Sequence, residues 1–163
     1  MSEELGHYTS RGARALVLLH EAHLRQCIQV WKQAKASGLG LPASDNKNYQ
    51  SLYTLLQHVL CAARNYMLSM CRILNLPDPQ IDPVPELPQI GAEMDRYLEH
   101  LLEHWRLPLA DVTDDQMEPP EELYVAGMPY WIDAMLEHAV MHPIRHEFQL
   151  RELMEQPSTS APT

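Results

Sequence analysis

The chain has 163 residues, 45% apolar and 21% charged, which suits one folded domain with its own core and excludes disorder throughout. Twenty-two acidic residues against 12 basic ones give a formal charge of −10, which disfavours a nucleic-acid partner because such binders present a net basic face. No stretch approaches the roughly 18 consecutive apolar residues of a membrane span, and the start Met-Ser-Glu-Glu-Leu-Gly-His lacks the pattern of a signal peptide, so the expected location is the cytoplasm.

Helical periodicity dominates. From residue 13 an apolar series runs Ala13, Val17, His20, Leu24, Cys27, Trp31, Ala34, in the steps of four and three that mark the seam of a bundle helix. Thr9 or Ser10 can cap its start, and Gly38, Gly40 and Pro42 end it, which predicts a helix over about 10–37. A second helix is expected after Ser44-Asp45, either of which can be the N-cap. Its stripe is Leu52, Leu56, Val59, Ala63, Tyr66, Met70 and Ile73, ending near Asn75. The short connection predicts that these two helices lie antiparallel.

Pro77, Pro79, Pro83, Pro85 and Pro88 then exclude a helix interior or a central strand. Extended, residues 76–87 reach about 37 Å, long enough to run the length of a bundle as a crossover. The third helix is expected over about 89–106, with Ile90, Met94, Leu98, Leu101 and Trp105 inward. Residues 107–128 read as an acidic loop without the glycine and spacing of a calcium-binding EF-hand, with room for a short helix at 120–125. The fourth helix is expected over about 129–155, with Pro129 in its first turn and a stripe of Ile132, Met135, Ala139, His142, His146, Gln149 and Leu153. Tyr130 and Trp131 at its start suit core packing or a dimer contact. The reading is therefore all-α: one domain, 1–156, forming an up-down-down-up four-helix bundle with its long crossover between helices two and three. A disordered tail follows over 157–163.

The three cysteines, Cys27, Cys61 and Cys71, form no close pair and read as small buried hydrophobes. The histidines, nine of them, carry more information. His142 and His146 occupy seam positions where Leu or Ile is expected, and their spacing of four puts both on one face, roughly 6 Å apart along the axis. Two buried imidazoles need partners for their nitrogens. A divalent metal supplies one, since neutral imidazole is a good ligand for zinc, nickel, copper or iron. The best third ligand from another helix is His58, beside the second helix's stripe; His20, in the first helix's seam, is the other candidate.

Two further patterns are weaker. His100-Leu-Leu-Glu103-His104 matches the inverted zinc-protease motif, but such proteases are larger, mixed α/β proteins, so a surface or rim pair is the expected reading. His20-Glu21-Ala22-His23 is one residue short of a zinc-protease motif, so its histidines do not share a face.

The segment His138-Ala-Val-Met-His142-Pro-Ile-Arg-His146-Glu-Phe-Gln149 resembles the last-helix motif of the DinB/YfiT-like metal-binding bundle proteins, with histidines spaced four and four and a glutamine three residues on. Leu55-Leu56-Gln57-His58 is similar to that family's second-helix segment. The resemblance implies metal ligands His58, His142 and His146, with open positions for water or substrate, and an outer role for His138. It further implies zinc or nickel, a homodimer, and S-transfer chemistry between a low-molecular-weight thiol and a small electrophile. Glu147 and His138 are the candidate proton carriers. A non-catalytic metal-binding or stress-response bundle is the alternative from a different class. Two features depart from the family: Glu147-Phe148 stand where Arg-Gly is common, placing a bulky residue near the site, and Pro143 between the two ligands predicts a kink or local widening.

Overall fold

A computed structural model describes residues 5–120 and 131–156. It is all-helical among those residues: α1 (Arg11–Ala36), α2 (Leu52–Ile73), α3 (Leu87–Trp105), the short α4 (Asp114–Met117) and α5 (Ile132–Glu155), with a 3₁₀ turn at Lys47–Tyr49. None of the described helices is long and apolar enough to cross a membrane. The expected helix at 120–125, Pro129, Tyr130 and the tail at 157–163 lie outside the described residues, apart from the exposed Pro120.

Each helix end has a local cause. The Ser10 hydroxyl accepts from Ala13 N at 3.1 Å and opens α1. Gly38, at φ +73, closes it, letting Leu39 N reach back to Ala34 O at 3.1 Å. The start of α2 differs from expectation. Ser44-Asp45 does not cap it; the 3₁₀ turn intervenes, capped by Asn46, and the N-cap is Ser51. Ser51 and Thr54 satisfy each other's backbone N–H groups reciprocally, a stronger start than a lone Ser or Asp supplies. At the other end Asn75 takes φ +53, and Leu76 N donates to Cys71 O at 2.8 Å just before Pro77. The stretch at 107–120 is not all loop: Thr113 and Gln116 form a second reciprocal cap and start α4. α5 is helical through Pro143, which is itself buried.

The seams of α1 and α3 are buried as their periodicity requires. On α2 the apolar face is broader, with Leu55, Leu60, Met67 and Cys71 buried as well, while Tyr66 and Ile73 are half-buried. On α5 the stripe turns slightly: Leu136, Val140 and Leu150 are buried, Met135 and Leu153 half-buried, and Gln149 exposed. Cys27 and Cys71 are buried and Cys61 half-buried, all three free, and burial pushes the Cys27 thiol up to about 12.

Side-chain pairs give the relative sense of the helices. Glu21, Arg25 and Lys32 of α1 pair with Arg106, Glu99 and Asp95, so α1 runs against α3. Tyr53 lies against Gly91 and the Ala63 carbonyl accepts from Trp105, so α2 and α3 run the same way. α5 packs most extensively on α1 and also on α2.

The proline-rich segment returns along α2 and α3, held by side chains from both. Arg64 Nε donates to the carbonyls of Ile81 and Asp82 at 3.1 and 2.9 Å, and Gln57 donates to Pro85 O at 3.1 Å. From α3, His100 Nε2 accepts the Asp82 N–H at 2.9 Å and His104 Nδ1 donates to Pro79 O at 2.7 Å. The inverted-protease pattern thus has a structural explanation: its two histidines clasp the crossover. His100→Leu should cost about 1 kcal/mol and lower the melting temperature by about 2–4 °C. It should also speed hydrogen exchange at the Asp82 amide, and unchanged exchange there would show that the clasp does not hold.

Candidate metal centre

The second and last helices bring three histidines together. His58 lies in the middle of α2, and His142 and His146 are one turn apart on α5. One ligand-capable nitrogen from each lies within 4.8 Å of the others, in a group that is half-buried at His58 and buried at the other two. The His58 and His142 Nε2 atoms stand 3.0 Å apart, and the rings pack edge to face. A tetrahedral ion holds neighbouring ligand nitrogens about 3.4 Å apart at ordinary zinc–nitrogen distances, so this pair needs to open only slightly.

His146 is the most constrained of the three. Its Nδ1 donates to Gln149 Oε1 at 2.8 Å, which fixes the tautomer and leaves Nε2 as a bare lone pair. That Nε2 is buried without any hydrogen-bond partner among the described residues. Buried polar atoms are seldom left unpaired, and an imidazole lone pair beside two further imidazole nitrogens is the donor set of a divalent ion.

Electrostatics keep the rings neutral. Burial chiefly, then the neighbouring histidines and Arg145, lower His142 to about 3. Burial lowers His146 to about 4 against the opposing Gln149 hydrogen bond, and burial with Arg145 lowers His58. A protonated imidazole cannot bind a metal, so these shifts keep the rings in the neutral form that a metal needs.

The remaining candidates separate. His138 ring-stacks on His142 with centroids 6.4 Å apart, and sits 5.5 Å from the Tyr66 ring. Together with His58, Cys61, Asn65 and Ser69 it lines a cavity of about 430 Å³. Glu147 is buried and its Oε1 accepts from Arg151 Nε at 2.9 Å. It is not one of the grouped ligands, which are His58, His142 and His146. His20 is fully enclosed and stacked on Trp105 with ring centroids 3.7 Å apart; it is not one of the three. Phe148 points outward, 63% exposed, so the bulky residue after Glu147 does not crowd the centre. Trp131 packs at the core edge and its indole donates to Gln116 O at 3.0 Å.

Tyr49 was not legible as a site residue. Its ring stands 5.9 Å from His58 and 5.8 Å from His146, delivered by a 3₁₀ turn that leaves no periodic signal.

The chain matches no protein-family model, no curated protein and no solved structure.

Proposed function

We propose that this chain is a DinB/YfiT-like four-helix bundle whose His58, His142 and His146 hold a divalent ion, zinc or nickel, and that it acts as a metal-dependent thiol transferase. Its opposed helix pairings favour the up-down-down-up order, with α1 and α5 running against α2 and α3. The observation carrying the proposal is the buried, partnerless Nε2 of His146 within a group of three imidazoles from two helices.

Three protein ligands leave a position open, which is the arrangement of catalytic rather than structural sites. When bound, the ion would supply Lewis acidity, lowering the pKa of a thiol or water at the open position. The chain's own residues do the rest. Gln149 holds the His146 ring in one tautomer, and such outer partners sustain metal affinity. The cavity beside His58 offers Asn65, Ser69 and Cys61 to orient a small polar molecule. His138, on that cavity's wall, is placed to carry a proton to or from the bound molecule. This adjoining cavity favours catalysis over the non-catalytic alternative, which does not need one. A cytoplasmic homodimer belongs to the same proposal.

The test is metal content by mass spectrometry on tag-free protein, compared with His58→Ala and His142→Ala. About one ion per chain is expected in the wild type and little in either variant. Thiol conjugation to a small electrophile should then follow metal content. An empty wild type after reconstitution with zinc and nickel would sink the ligand assignment.

A further inference from the structure

A second cavity lies next to residues that touch the three imidazoles. It is an open cleft of about 330 Å³ between the loop joining α1 to α2 and the last turns of α5. Leu41, Pro42, Leu55, Leu150 and Leu153 form the apolar part of its wall, and Ser44, Glu152 and Gln156 add polar groups at its edge. Two of its residues also belong to the centre. Tyr49 lines the cavity while its ring stands 5.8 Å from His146, and Gln149 lines it while accepting from His146 Nδ1.

We infer that this cavity binds a short alkyl, acyl or aryl group of a second substrate and presents that molecule's polar end to the imidazoles past Tyr49. The inference rests on the metal-centre reading for its purpose. A transfer between two molecules gains most when both are held at once in defined orientation. Two cavities at one centre, one beside His58 and one lined by Tyr49, give the two molecules separate places. The volume falls within the range of small-ligand sites, and an apolar wall with a few placed polar groups is their usual make-up. An occupant touching Gln149 also touches the group that fixes the His146 tautomer, so filling the cavity should be felt at the metal.

The experiment uses full-length protein loaded with cobalt(II), whose visible spectrum reports its ligands, and N-phenyl-1-naphthylamine, a neutral apolar fluorophore. The expected result is one saturable probe site per chain and a shift of the cobalt band on probe addition. Leu153→Glu puts a charge on the half-buried wall and Ala43→Trp fills the cavity from an exposed loop position. Both should weaken the probe by about tenfold or more with an unchanged circular dichroism spectrum. Absence of saturable binding, equal binding in both variants, or a cobalt band that ignores the probe would overturn the inference. Failure of cobalt to bind would instead overturn the metal-centre reading, and the probe titration of metal-free wild type and variants would then decide the cavity alone.

Discussion

Zinc is expected to raise the melting temperature of the wild type by about 5–10 °C, and His146→Leu is expected to abolish that rise without lowering the melting temperature of the metal-free protein. The first half is mass action: a ligand at about a hundred times its dissociation constant adds about 2.7 kcal/mol, and a chain of this size shifts by about 2–4 °C per kcal/mol. The second half follows from the unpaired nitrogen. In the metal-free protein the His146 Nε2 is buried without a partner, which costs about 1–3 kcal/mol, and leucine of similar volume removes that cost. Gln149 then loses its own partner, but it is exposed and water replaces the imidazole. Two melting curves therefore cross: the variant at or slightly above the wild type in chelator, and well below it in zinc. A variant that unfolds far below the wild type in chelator would show that His146 is structural. A wild type indifferent to zinc and nickel would remove the metal reading itself.

Periodicity carries the long helices because a buried stripe repeats every three to four residues. Ala13, Val17, Leu24 and Ala34 on α1 needed nothing more. The start of α2 was misplaced because Ser44, Asp45 and Ser51 are all competent caps, and the choice falls to the reciprocal bond with Thr54, a partner the apolar pattern does not contain. The same pairing in Thr113 and Gln116 marks α4, a single turn too short to show a stripe. At the site, His58, His142 and His146 were legible because two helices are enough to place them. Glu147 follows His146 in the chain, yet the next residue along a helix faces about 100° away, and only the folded structure shows that it pairs with Arg151 and stands outside the group of three. His20 sits in the seam as surely as His142, yet it meets Trp105 in place of another imidazole. Which residues face each other across helices is a tertiary fact, and one-dimensional spacing does not contain it.

That enclosed histidine leads to the second large effect, a dependence of stability on pH that His20→Leu should reduce. Neither His20 nitrogen has a hydrogen-bond partner among the described residues, and burial lowers its pKa from 6.5 to about 3. Between those values the unfolded chain holds a proton that the folded chain refuses. The contribution of the neutral ring is therefore fully present above about pH 6.5 and is lost as the pH falls toward about 3, at up to about 1.4 kcal/mol per pH unit. Near pH 7.5 the variant gains by shedding two unpaired nitrogens and loses the Trp105 stack, worth about 0.5–1.5 kcal/mol, so it should be at least as stable as the wild type. Below pH 6.5 the difference should widen in the variant's favour, by about 2–3 kcal/mol at pH 4.5 relative to pH 7.5. Urea unfolding of both proteins at pH 7.5, 6.5, 5.5 and 4.5, all in chelator, measures this directly. Every other group is present in both proteins, so the change in the difference with pH reports the His20 ring. A difference that stays constant across the series would mean that the ring takes up its proton equally well folded and unfolded, and so is not sealed against Trp105.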